Sequence, residues 1–152
     1  METNEKMMSL AIKEAIKAKQ KDEVPIGAVI VRDGKVIARG YNERQTKHLA
    51  TAHAEIIAIN KACKKLGDYR LNGCSMYVTL EPCLMCAGAC LNARLDKVYF
   101  GAYEVKVTKN TESATSLALR TNLNHNIEFE GGILEKECSE LLSFYFRDKR
   151  NK

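Results

Sequence analysis

The chain has 152 residues, 45% of them hydrophobic and 28% charged, and 24 Lys plus Arg against 19 Asp plus Glu leave a net charge of +5. That size fits a single domain over residues 1–152 with a genuine core, and the balance is globular, which excludes a disordered or collagen-like chain. The absence of a long apolar run and of a secretory leader pattern predicts a cytoplasmic protein with no membrane partner, and the modest positive charge permits a polyanionic partner without demanding one.

Residues 4–20 place Met7, Met8, Ala11, Ala15 and Ala18 at helical spacing with lysines on the other side, which predicts an amphipathic helix lying on a flat surface. Pro25 breaks it. Residues 26–41 are two β-rich runs around Asp33-Gly34, a hairpin signal. A helix is expected over 52–66, with Thr51 as a candidate cap and Gly67 just past its end. A short strand (75–80) follows, then a helix over 82–94 with Pro82 in its first turn, then a strand over 97–102. Residues 103–113 are polar. A short helix near 114–121, a strand at 127–130 and a helix over 133–149 close the chain. A hairpin followed by alternating strands and helices predicts an α/β fold, a mixed sheet of about five strands with helices on both faces.

Two fragments carry candidate chemistry. Cys83 and Cys86 lie at i and i+3 at a helix start, where exposed N–H groups and the positive helix end favour thiolates. Alone, the pair also fits a redox dithiol, half of a structural zinc site, or accidental core. His53 and Glu55, at i and i+2, can share one pocket only if that pocket lies off the helix end. Taken alone, each is equally a structural histidine and a dipole-stabilising carboxylate. Together, one imidazole and two thiolates make three ligands for zinc and leave a fourth tetrahedral position open, the mark of a catalytic site, with Glu55 free to move protons. The other four cysteines, His48 and His125 read as structural, since thiols in a reducing compartment need not pair.

His-x-Glu followed by Pro-Cys-x-x-Cys is the zinc nucleobase deaminase pattern. The chain resembles the bacterial tRNA adenosine deaminase family, within the cytidine deaminase-like superfamily, through VPIGAVIV (24–31), Asn42, TAHAEIIAI (51–59), YRL (69–71), YVTLEPCLMCAGA (77–89), FGA (100–102), LNH (123–125) and GGILEKECSELL (131–142). The resemblance implies a three-layer α/β/α sandwich, one Zn2+ per subunit on His53, Cys83 and Cys86, and Glu55 as proton shuttle for a zinc-bound water that turns adenosine into inosine at the wobble position. It further implies substrate contacts from Asn42, the N–H of Ala54, Asn124, Glu104 and Lys106. Tyr145 and Arg147 on the last helix would help hold a tRNA anticodon stem-loop, and the enzyme would be a homodimer. Two departures stand out. The family's Pro-Thr before His-Ala-Glu is Ala50-Thr51 here, and its glycine-rich loop ending in Gly-Ser reads YEVKVTKNTESATS (103–116), with no glycine. Two other readings stay open at this point: a deaminase of a free base or nucleoside such as guanine or cytosine, and a non-catalytic zinc-stabilised RNA-binding module.

Overall fold

The computed structural model describes residues 3–104, 113–121 and 126–150. The elements run α1 (Thr3–Gln20), β1 (Gly27–Arg32), β2 (Lys35–Tyr41), α2 (Arg44–Lys47), α3 (Ala54–Leu66), β3 (Cys74–Leu80), α4 (Leu84–Asn92), β4 (Lys97–Ala102), α5 (Ala114–Thr121), β5 (Glu128–Glu130) and α6 (Glu135–Arg150). The five strands form one mixed sheet in the order β2-β1-β3-β4-β5. β1 pairs antiparallel with β2 and β3, while β3–β4 and β4–β5 are parallel. The parallel pairs require crossovers, which α4 and α5 supply.

Side-chain alternation along the strands builds the layers. Ala28, Ile30, Met76, Val78, Val98 and Phe100 face α3 and α4, where Ala54, Ala58, Ile59, Ala62 and Cys90 complete a buried cluster. Val29, Tyr77 and Ala102 face the other way, onto Met7, Met8 and Ala11 of α1 and Cys138 of α6. The sandwich is therefore the three-layer arrangement expected, with small residues on α1 and α3 that let both helices lie close to the sheet. Gly40 shows how close: a Cβ there would stand 2.5 Å from the Ala54 carbonyl oxygen. The absence of a side chain on β2 thus fixes where α3 begins.

The register gathers several strand ends at one edge. Tyr41 pairs with Gly27, Ala28 with Val78, and Leu80 with Ala102. Asn42, Glu81 and Tyr103 therefore all leave the sheet at that edge, and the parallel strands β3 and β4 present their carboxyl ends there, the usual place for a ligand crevice.

Three boundaries and one element differ from the sequence expectation. Thr51 caps nothing. Residues 49–53 turn twice, with the N–H of Ala52 donating to Leu49 and that of His53 to Thr51, so α3 starts at Ala54 with His53 as its N-cap. Pro82 precedes the N-cap Cys83 instead of opening the helix, and Cys83 is extended (φ −69°, ψ 173°). α6 begins at Glu135, not Ile133, because Leu134 has φ +54°, outside right-handed helix. The short α2 was not anticipated.

Candidate active site

The helix starts of α3 and α4 bring the two sequence fragments together. His53, the N-cap of α3, has extended backbone (φ −76°, ψ 153°) and makes no side-chain cap hydrogen bond. Its imidazole turns instead to the sulfurs. Nδ1 lies 3.5 Å from Cys86 Sγ and 3.8 Å from Cys83 Sγ. Ligand atoms on one tetrahedral zinc, at about 2.1 Å for nitrogen and 2.3 Å for sulfur, stand about 3.6 Å apart. The three ligand atoms lie within 4.8 Å of one another, and among the described residues this is the group of three or more His, Cys, Asp or Glu able to hold a metal ion.

The thiols are electrically unequal. Cys83 is held down at about 5, first by a hydrogen bond from the Cys86 thiol, with the first-turn N–H groups of α4 and the His53 ring adding to it against the cost of burial. The same hydrogen bond and burial push Cys86 far up. The pair thus keeps one proton when no cation is present. A dication is what lets both sulfurs ionise, which is how thiolate sites couple metal binding to proton release.

Glu55 sits in the first turn of α3 and is buried. Burial pushes its carboxyl up to about 7, and the charge on Cys83 adds to the effect, against backbone and Cys86 thiol contacts that lower it. Its Oε1 is the buried side-chain oxygen or nitrogen, among the described residues, that lacks a hydrogen-bond partner. An orphaned carboxylate oxygen on a side chain that meets Cys86 and feels the Cys83 charge fits a zinc centre with one position left for solvent. A mixed nitrogen and thiolate set also selects zinc over harder ions.

Asn42, buried at the end of β2, accepts the Ala54 N–H on Oδ1 at 2.8 Å. It caps α3 from a distance, the role expected of Thr51. This bond engages Oδ1 and the Ala54 N–H and leaves the Nδ2 end of the amide out of it.

The other expected contacts divide. Glu104 lies at the carboxyl end of β4, beside a cavity of about 460 Å³ lined by Leu80, Ala102, Tyr103, Leu142 and Phe146. Tyr145 is buried, and its hydroxyl donates to the Asp22 carbonyl, so it packs α6 against the α1–β1 connection. Arg147 stacks on Phe144 on the exposed side of α6. Asn124 and Lys106 lie outside the described residues.

Glu14, Glu23 and Glu81 are buried carboxylates that the sequence reading did not place inside, and the last two bear on the site. Glu23 accepts the N–H of Gln45 and of Thr46 and the Thr46 hydroxyl, and so holds α2 in place behind Asn42. Burial works to raise its carboxyl, but the Thr46 and Gln45 hydrogen bonds, with the Arg44 charge, bring it below the ordinary range. Glu81 accepts the Glu104 N–H and the Thr115 hydroxyl. The available signal for both was a carboxylate beside a proline at the edge of an apolar strand, in Glu23-Val-Pro25 and Glu81-Pro82.

Comparison with known proteins agrees with this geometry. Residues 1–102 match the family model described as the cytidine and deoxycytidylate deaminase zinc-binding region. The tRNA-specific adenosine deaminase of Bacillus subtilis (strain 168) is 48% identical over 152 residues, covering 100% of this chain and 94% of that protein. A structure solved in a study of A-to-I editing by tRNA:A34 deaminases at the wobble position of transfer RNA superposes with a TM-score of 0.81 at 44% identity, over 90% of this chain and 98% of that one. A guanine deaminase from Bacillus subtilis superposes with a TM-score of 0.65 at 33% identity, over 97% and 94%.

Proposed function

This chain belongs to the tRNA-specific adenosine deaminase family of zinc deaminases, and on that premise we propose that it hydrolyses adenosine to inosine at the wobble position of a tRNA anticodon. The net reaction adds water at C6, breaks the bond from C6 to the exocyclic nitrogen and releases ammonia. The observations that carry the chemistry are the convergence of His53, Cys83 and Cys86 and the unpartnered Oε1 of Glu55, whose carboxyl meets Cys86.

His53, Cys83 and Cys86 would hold the zinc, which would lower the pKa of water and so make a nucleophile available at neutral pH. Glu55 then does the proton work. Its Oε1 would take one proton from the attacking water and deliver it to the ring nitrogen next to C6, then take the proton of the new C6 hydroxyl and pass it to the departing amine, so that two protons are accepted and two are given. Burial holds this carboxyl up at about 7 in the metal-free protein, and a positioned carboxyl can both accept and donate a proton. Asn42 orients the nucleoside through Nδ2 while Oδ1 stays on the Ala54 N–H. Glu104 and the exposed part of α6 around Arg147 face the rest of the stem-loop, with Lys106 and Asn124 as further contacts.

The reading includes a cytoplasmic homodimer. Leu84 and Met85 support the second copy, being exposed apolar residues on α4 beside the ligand Cys83. No helix among the described residues is long and apolar enough to cross a membrane.

The similarity to a guanine deaminase supports a second reading, deamination of a free base. Purified zinc-loaded protein offered an anticodon stem-loop, guanine, cytosine and cytidine separates the two by ammonia release. Inosine at the wobble position of the stem-loop is the expected product. Ammonia from guanine with an unaltered stem-loop would replace the reading with the second one.

A further inference from the structure

The glycine-free segment over 103–116 has described residues at both ends, and the two ends meet at one buried side chain. Glu81 follows β3 and stands two residues before the ligand Cys83. Its backbone N–H donates to the Ala102 carbonyl at 2.8 Å. Its Oε1 accepts the Glu104 N–H at 3.1 Å, and its Oε2 accepts the Thr115 hydroxyl at 2.6 Å. Glu81 and Thr115 are both buried, at 6% exposure each. Ser113 caps α5 by accepting the Ser116 N–H at 3.1 Å, and its Oγ lies 3.4 Å from the Thr115 hydroxyl.

We propose that Glu81 is a positioning residue that clamps the Glu104 and Thr115 ends of this segment to the turn carrying Cys83, and so fixes the substrate-side wall formed by Tyr103 and Glu104. Tyr103 and Glu104 line the 460 Å³ cavity together with Leu80, and Leu80 runs directly into Glu81-Pro82-Cys83. The clamp therefore couples the cavity wall to the metal turn through three residues of backbone. A buried carboxylate oxygen left without its donor is costly, so Oε2 holds Thr115 firmly, and the rigid carboxylate passes that restraint to the Glu104 N–H through Oε1. The clamp touches neither His53 nor Glu55, so its loss falls on substrate binding and spares the chemical step.

The inference rests on the substrate reading above, and its test keeps the two apart. Zinc content, kcat and KM on the anticodon stem-loop, and hydrogen exchange at the Glu104 amide are measured for the wild type, Thr115→Val and Glu81→Gln. Thr115→Val keeps the side-chain volume and removes the hydroxyl. It is expected to raise KM roughly fivefold to twentyfold, with kcat within about twofold, full zinc, and faster exchange at Glu104. Glu81→Gln keeps an acceptor for the Glu104 N–H and offers an amide donor to the Thr115 oxygen, so it should stay near the wild type. An unchanged KM in Thr115→Val, zinc loss in that variant, or a Glu81→Gln protein as impaired as Thr115→Val would each overturn the proposal. A wild type inactive on the stem-loop would reject the substrate reading instead. In that case the exchange rate still decides the clamp: acceleration in Thr115→Val supports it, and an unaltered rate overturns it.

Discussion

Replacing Glu55 by glutamine should make the metal-free protein more stable and the enzyme nearly inactive. The magnitude follows from burial. The carboxyl rises from an ordinary 4.5 to about 7 on folding. At about 1.4 kcal/mol per unit, the ionised carboxylate destabilises the folded metal-free state by about 3 kcal/mol above pH 7. The sign is fixed by the direction of the shift. A raised folded value means full stability below about pH 4.5 and a loss as pH rises through 7. Glu55→Gln removes the titration but leaves an amide in place of the unpartnered oxygen, which gives back about 1 kcal/mol. The net gain at pH 8 is about 2 kcal/mol, or roughly 4–8 °C in Tm for a domain of this size, and near pH 4.5, where the titration contributes almost nothing, it should give way to a small loss set by the amide. Calorimetric melting in the presence of a chelator, at pH 8 and at pH 4.5, reads it directly. Zinc-loaded protein should show a smaller gain, since the dication offsets the buried negative charge. A metal-free Glu55→Gln protein no more stable than wild type at pH 8, or a gain that does not depend on pH, would refute the reasoning. Stability gained where function is lost is the signature of a residue kept for chemistry.

Two further outcomes follow from the same contacts. Cys86→Ala should lose bound zinc, read by metal analysis after gel filtration, whereas Glu55→Ala should retain it and lose at least about 10²–10⁴-fold in kcat. Glu23→Gln should cost about 1–2 kcal/mol at pH 7, because the amide cannot replace every acceptor contact to Thr46 and Gln45. The Glu23 carboxyl is lowered by folding, so its contribution is present above the ordinary carboxylate range and is lost as pH falls through the folded value. Paired denaturant titrations from pH 7 to pH 3 should show the two proteins converging at the acid end.

Much of this architecture was legible in residue order. The alternation of apolar residues in 26–41, 75–80 and 97–102 foretold strands, and the joint presence of His53, Glu55, Cys83 and Cys86 foretold a single metal pocket. What the sequence could not supply was who satisfies whom across the chain. The start of α3 depends on Asn42, twelve residues upstream, taking the Ala54 N–H, so a local search for a cap settled on Thr51. α2 exists because Glu23, more than twenty residues upstream, accepts its first N–H groups, and nothing within Arg44–Lys47 announces a helix. Glu81 looked like part of a motif. Its use appeared only when Glu104 and Thr115 were brought to either side of its carboxylate. Tyr145, which the family resemblance put on an RNA-holding helix, directs its hydroxyl inward to the Asp22 carbonyl, a contact that residue order could not announce.

The most direct test of the whole account is a crystal structure of the zinc-loaded protein. It should show the ion bonded to His53 Nδ1 and the sulfurs of Cys83 and Cys86, with the fourth position open to solvent within hydrogen-bond reach of Glu55 Oε1. A fourth side chain on the metal, Glu55 itself included, would contradict the account.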